Sequence, residues 1–159
     1  MTQPIEPRTK GEALLDLSYA IRLHRMSCRR YRKLKGVVAF TTLILGMAAV
    51  ISALQSLPYA IGIAGIVIGT MSVIDVLGGF GEKATRHNHW REQYEDLSAR
   101  SAEMTLDQLD AERKRIARGV DNEVEALRVP AYNDNLASCG YESMMRPETF
   151  RQRLARVLA

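Results

Sequence analysis

The feature that most constrains this chain is a run of 39 residues, from 36 to 74, that contains no Asp, Glu, Lys or Arg. Of these residues 26 are apolar, and the others are Gly, Ser, Thr, one Gln and one Pro. A bilayer core of about 30 Å needs about 20 helical residues to cross it. The run is long enough for two crossings, and a chain of 159 residues has little else that could bury it as a soluble core.

The run divides naturally at Gln55-Ser56-Leu57-Pro58, because proline disfavours helix for the residue before it and suits the first turn of a new helix. We therefore predict spans at 36–54 and 59–79. A secretory signal peptide fits poorly, since the run begins at residue 36 and is too long. The predicted fold class is an all-α membrane protein: an antiparallel hairpin of two transmembrane helices, extended into a cytoplasmic helical stalk with additional short C-terminal helices.

Charge is concentrated before the first span. Residues 1–35 carry nine Lys/Arg and three Asp/Glu, residues 80–159 carry thirteen and fourteen, and the connector between the spans carries none. Because basic residues stay on the cytoplasmic side, both termini are expected inside the cell. The basic excess suits anionic headgroups, and nucleic-acid binding is not expected, since Tyr31 is the only aromatic residue in the basic stretch. The predicted headgroup collar is Arg29, Arg30, Arg32, Lys33, Lys83 and Arg86.

Helical periodicity continues on both sides of the membrane. Apolar and weakly polar residues recur at alternating spacings of three and four, which is typical of a helix–helix seam. The upstream set is Leu14, Leu17, Ile21, His24, Cys28 and Tyr31; the downstream set is His87, Trp90, Tyr94, Leu97, Ser101 and Met104. We predict helices at about 12–54 and 59–103. In an antiparallel pair that turns near residue 56, His24 lies opposite His87 or His89. The predicted organisation is a basic N-terminal helix (1–35), the hairpin (36–79), a stalk (80–130), and a loop with a basic helix (131–159).

Four residues near the cytoplasmic boundary are candidates for a pore or gate. Asp75 falls near Val38, within a turn of Lys35, so it forms either a structural ion pair with Lys35 or Arg32, or a pore-lining acid. His24 and His87 are either polar members of the seam or a pH switch or weak metal site.

Each span also carries a stripe of small residues, which lets helices approach closely. The packing candidates are Gly46 and Ala49 in the first span and Gly62, Gly65, Gly69 and Ser72 in the second. One stripe would seat the partner span and another a neighbouring subunit; alternatively, small residues are simply common in membrane helices.

Beyond the stalk, Thr105 and Gln108 predict a capping box, followed by a helix that ends before Pro130 and is bent or broken at Gly119. Residues 130–146 are expected to be a loop. Pro147-Glu148 is expected to open a short basic helix, which lies on the membrane surface, on a partner or against the stalk.

Catalytic motifs are lacking. Cys28 and Cys139 have no CxxC spacing, and we expect reduced cytosolic thiols. The imidazoles of His87 and His89 lie about 200° apart on a helix, so they do not ligate one metal together. The glycines in residues 78–81 indicate a flexible membrane exit rather than a phosphate-binding loop. We expect no enzyme activity, cofactor or metal.

The layout resembles the SLATT domains, two-span effectors of bacterial nucleotide-signalling and defence systems. The matching features are the basic helix Arg29-Arg30-Tyr31-Arg32-Lys33-Leu34-Lys35, the minimal connector, and the succession Lys83-Ala84, His87, Tyr94 and Leu97 on the long helix after the second span. The resemblance covers about residues 12–130. The C-terminal tail is not part of it.

The resemblance implies a homo-oligomer that compromises the bacterial inner membrane during infection, as in abortive infection. The activating partner would be a nucleotidyltransferase with its sensor, or a reverse-transcriptase-type protein. The alternatives are a non-conducting membrane-anchored scaffold or adaptor, and a phage holin-like protein.

Overall fold

The computed structural model describes residues 8–55, 58–120 and 124–159. These residues form six α-helices and two short 3-10 turns, with no strand among them. The helices are α1 (Lys10–Leu54), α2 (Pro58–Gly78), α3 (Phe80–Arg100), α4 (Leu106–Arg118), α5 (Glu125–Ser138) and α6 (Phe150–Val157); the 3-10 turns are Ser101–Glu103 and Glu142–Met144. The all-α prediction is confirmed.

The C-terminal part of α1 and the whole of α2 are long and apolar enough to cross a membrane. In the most apolar window of each helix only 6% of the residues are buried within the protein. Large side chains such as Phe40, Met47 and Ile66 therefore point away from the fold. A soluble core helix buries its apolar face, so this exposure favours the membrane hairpin predicted from the sequence.

The two spans contact each other through one face each. On α2 that face contains the buried Ala64, and Met71, Asp75 and Gly78 continue it with partial burial. These positions are spaced by three, four or seven residues, as a helix–helix seam requires. Gly46 and Ala49 lie on the partly buried face of α1.

The predicted continuous helix over 59–103 is wrong in one place, because it is interrupted at Gly79. This residue has φ +55°, the left-handed conformation that glycine adopts at little cost. Backbone hydrogen bonds from Gly79 N to Asp75 O (3.0 Å) and from Lys83 N to Gly79 O (2.9 Å) bridge the break. The backbone hydrogen bonds therefore continue from α2 into α3, although Gly79 itself is not in the helical conformation.

The stalk has two apolar clusters, and α1 contributes to both. The cluster far from the membrane joins α1, α3 and α4 through Ala13, Leu17, Tyr94, Leu97, Leu109 and Ile116. The cluster nearer the membrane joins α1, α5 and α6 through Leu23, Ala126, Leu127, Ala131 and Ala155. Helices α4, α5 and α6 thus cover two faces of the stalk. The sequence pattern predicts the stalk mainly as a pair of helices.

The predicted loop over 130–146 is wrong at its beginning, because α5 continues through Pro130 to Ser138. Proline removes one helical hydrogen bond in the second turn of α5. Burial compensates for this loss, since Leu127, Pro130 and Ala131 are all fully buried. Gly119 ends α4 as its C-cap, in agreement with the predicted break.

Side-chain hydrogen bonds hold the C-terminal segment on α5. The Asn133 amide donates to the backbone carbonyl of Arg146 (2.8 Å), and its carbonyl accepts from the Arg146 N–H (2.9 Å). Helix α6 then begins after Thr149, which forms a capping box with Gln152. Helix α6 thus starts at Phe150, which is two residues after Glu148, whereas the sequence predicted that Pro147-Glu148 would begin the helix.

Candidate functional site

The most unusual polar arrangement in the stalk is a pair of buried histidines. His24 lies on α1 and His87 on α3, and each is 2% exposed. Their Nδ1 atoms are 3.0 Å apart, which is hydrogen-bond distance. This contact agrees with the antiparallel register predicted from the position of the turn.

Aromatic rings enclose the pair. The Tyr94 ring stacks on His24 with a centroid distance of 5.5 Å and an interplanar angle of 17°. Tyr31 stacks on the other imidazole, His87, with the same distance and angle. Trp90 contacts both imidazoles, at 5.6 Å from His24 and 5.3 Å from His87. Rings thus exclude water from the histidine pair on several sides.

The ring contacts continue toward the membrane. Tyr31 also faces Phe80, the first residue of α3, at a centroid distance of 6.4 Å. The Phe80 ring in turn lies over Gly78, where a Cβ would be 2.7 Å from its Cζ atom. A column of rings therefore connects the end of α2 with the histidine pair inside the stalk.

Burial, together with the nearby His87, lowers the pKa of His24 to about 4. Charging an imidazole costs free energy in a site that is poorly hydrated. Near neutral pH the His24 imidazole is therefore uncharged. At this distance one Nδ1 of the pair carries the hydrogen and the other accepts it.

The His87-Asn88-His89 sequence does not form one metal site. His89 is exposed, and its Nε2 is 3.0 Å from the Gln93 amide nitrogen, one turn along α3. Within the residues that the structure describes, no three His, Cys, Asp or Glu side chains are grouped as a metal site. Cys28 is buried beside the pair and Cys139 is exposed, both as free thiols.

The structure does not bring Asp75 and Lys35 together. The Lys35 side chain lies against α3, where its Nζ would be 2.9 Å from a Cβ at Gly81. Asp75 is partly buried on the face of α2 that contacts α1, and no ion pair joins it to Lys35 or Arg32 within the described part of the chain. The ion pair, one of the two interpretations of Asp75, is therefore not seen among the described residues, since Lys35 reaches a position six residues beyond Asp75.

The stripe of small residues on α2 faces away from α1. Gly62, Gly65, Gly69 and Ser72 are all exposed, and a Cβ built at any of these three glycines would meet no atom of another element within 4 Å. The Ser72 hydroxyl donates to the Ile68 carbonyl in its own helix at 2.9 Å. Hence this stripe does not seat the partner span and is left open in the single chain.

The predicted headgroup collar is only partly free. Arg29 and Arg32 are exposed, Lys33 is exposed but donates a hydrogen bond to the Val157 carbonyl, and Arg86 is 3.3 Å from Glu82 on its own helix. The Lys83 ammonium lies 5.8 Å from the centroid of the Tyr31 ring. Arg30 is partly buried and lines a depression together with residues of α5 and α6.

The sequence reasoning found the two histidines but missed the aromatic enclosure around them. Tyr31, Trp90 and Tyr94 were all on the predicted seams, so the signal was present in the periodicity. The periodicity did not indicate that aromatic rings on both sides of each histidine would exclude water from the pair. Comparisons with protein families, with curated proteins and with solved structures give no match to this chain.

Proposed function

We propose that this chain is an oligomeric effector of bacterial antiphage defence, which forms pores in the inner membrane or disrupts it when a partner or sensor activates it. The proposal combines the membrane hairpin with the SLATT resemblance. It places both termini in the cytoplasm, since the connector between the spans has no basic residue.

The observation that carries the proposal is the open face of α2 formed by Gly62, Gly65, Gly69 and Ser72. Small residues in membrane helices favour close packing of backbones. Asp75 is the one charged side chain in the two spans, and a single hairpin does not enclose a water path. Several copies that pack through this face would be required, and the stalk would hold them in register.

The activating partner is proposed to be a nucleotidyltransferase with its sensor, or a reverse-transcriptase-type protein, that contacts the cytoplasmic stalk. Direct nucleic-acid binding is not part of the proposal. The histidine pair and the ring column offer a route by which a change in the stalk reaches the membrane exit at Phe80.

The first test is replacement of both Gly65 and Gly69 by leucine, compared with Ile66→Leu as a matched control on an exposed position of the same helix. In cells that express the chain together with a candidate nucleotidyltransferase and sensor or a reverse-transcriptase-type protein, uptake of a membrane-impermeant dye and chemical cross-linking in the membrane are measured. We expect the double variant to lose both the dye uptake and the cross-linked oligomers, and the control to keep them. Wild-type protein that causes no dye uptake, with or without phage infection, would contradict the pore proposal.

The runner-up is a non-conducting scaffold or adaptor. A groove of about 360 Å³ on the stalk favours it, lined by Leu15, Tyr19, Tyr132 and Leu136 among others. A scaffold would protect cells without ion flux, so protection against phage in the absence of dye uptake selects this alternative. A holin-like protein would instead cause lysis only together with an endolysin.

A further inference from the structure

Helix α6 lies against the end of the stalk that is nearest to the membrane. The Lys33 ammonium donates a hydrogen bond to the backbone carbonyl of Val157 at 3.1 Å. Lys33 is three residues before Gly36, the start of the uncharged run, which is about 5 Å along a helix axis. The C-terminal end of α6 is therefore close to the level at which α1 enters the bilayer.

Helix α6 is amphipathic, and its apolar face is not the face that packs on the stalk. Ala155 is the buried residue, inside the cluster with Leu127 of α5. Phe150, Leu154 and Val157 are 78%, 52% and 74% exposed. At about 100° per residue these three side chains share one side of the helix. An apolar stripe thus remains uncovered by the described residues.

Beside this stripe, three cationic side chains line one depression. Arg30 from α1, Lys83 from α3 and Arg151 from α6 surround a volume of about 360 Å³, together with Tyr31. One carboxylate, Glu125, also lines it, but this side chain is paired with Arg128 at 3.2 Å.

The cations of this depression lack acidic partners among the described residues. No salt bridge among the described residues involves Arg30, Lys83 or Arg151. In addition, the Arg30 Nε atom is buried without a hydrogen-bond partner. Three cations and the one carboxylate of Glu125 leave a net positive charge around this volume, which favours the binding of an anion. The depression therefore has the charge of a site for a phosphate-bearing group.

We propose that this junction binds the headgroup of an anionic phospholipid through Arg30, Lys83 and Arg151, while Phe150, Leu154 and Val157 of α6 lie in the adjacent bilayer surface. The lipid is favoured over a soluble anion because the site is continuous with the membrane hairpin. Cytoplasmic leaflets are anionic, and an amphipathic helix with basic residues beside an apolar stripe binds such a surface. This inference needs no conduction and goes beyond the proposed function.

The test uses the full chain in bilayers with a fluorescent label at a single cysteine. In a background with Cys28→Ala and Cys139→Ser, the label is attached at Phe150→Cys, at Ala102→Cys near the tip of the stalk, or at Val73→Cys in the second span. Phosphatidylcholine or phosphatidylglycerol with a nitroxide on its acyl chain serves as the quencher. We expect quenching at positions 150 and 73 and none at 102, with stronger quenching at 150 by the anionic lipid.

The charged site is tested by the double change Arg30→Gln and Arg151→Gln. It should abolish the difference between the two lipids at position 150, whereas the matched double change Arg115→Gln and Arg118→Gln should leave that difference intact. A label at 150 that escapes quenching while the label at 73 is quenched would overturn the proposal. Equal quenching of the unchanged protein by both lipids would also overturn the proposal. A label at position 150 that is shielded from solvent to the same extent in detergent would indicate that a second protein covers this face, and it would overturn the proposal as well.

Discussion

His24 of α1 and His87 of α3 face each other across the stalk with their Nδ1 atoms 3.0 Å apart, although 62 residues and both membrane spans separate them in the chain. The contact joins the helix that enters the membrane to the helix that leaves it. Since the rings of Tyr31, Trp90 and Tyr94 enclose the pair, its protonation is coupled to the packing of the stalk.

We predict that acid destabilises the stalk through His24. The pKa of this residue is about 4 in the folded protein and about 6.5 in the unfolded chain. Between these values the unfolded chain binds a proton that the folded protein does not, so the free energy of unfolding falls as the pH decreases from 6.5 to 4. The expected slope from this group is about 1 kcal/mol per pH unit, and well above pH 6.5 it contributes no pH dependence.

Urea denaturation followed by the fluorescence of Trp90, the single tryptophan, measures this effect next to the pair. His24→Phe should flatten the dependence between pH 6.5 and 5, whereas His89→Phe, at an exposed position, should retain it. An identical pH dependence in the two variants would rule out His24 as the cause.

We predict that Gly79→Ala destabilises the junction between α2 and α3. A residue with a Cβ pays about 1–2 kcal/mol in the left-handed conformation that Gly79 adopts at φ +55°. Gly36→Ala is the control, because it lies inside helix α1 and a Cβ there has open space. Thermal unfolding in detergent should show a lower midpoint for Gly79→Ala, and an equal or higher one for Gly36→Ala.

We predict that Asn133→Ala releases the C-terminal segment from α5. The buried Asn133 side chain makes two hydrogen bonds with the Arg146 backbone, and its loss leaves those groups without partners at a cost of about 1–3 kcal/mol. Hydrogen exchange at the amides of α6 should become faster.

Asp134→Asn, at the next residue, is the comparison for this change. It removes the Arg22–Asp134 ion pair (2.5 Å), both of whose side chains are partly exposed, and should cost less than about 1 kcal/mol. Equal exchange rates in the two variants would show that Asn133 does not hold the segment.

We predict that Thr149→Ala frays α6 alone. The Thr149 hydroxyl accepts from the Gln152 N–H, and loss of such a cap costs about 1 kcal/mol in a helix of only eight residues. Thr105→Ala removes the equivalent capping box of α4. Each variant should accelerate hydrogen exchange in its own helix, and acceleration of α4 by Thr149→Ala would contradict the local role.

The amino-acid sequence by itself determined the helical hairpin, its two apolar spans and the seam of the stalk. Each of these depends on local composition and periodicity: no charge from residue 36 to 74, and a helical repeat through His24 and His87. The register also followed, because a short connector leaves an antiparallel pair little freedom to slide.

Only the tertiary structure decided how the other faces of the stalk are covered. Pro130 lies inside α5 because burial of its neighbours outweighs one lost hydrogen bond. Lys35 reaches Gly81 rather than Asp75 because its side chain packs across α3. The junction of Arg30, Lys83 and Arg151 joins three helices that are distant in sequence. Periodicity identifies which face of a helix is apolar, but the partner of that face depends on contacts between remote segments, which local patterns do not encode.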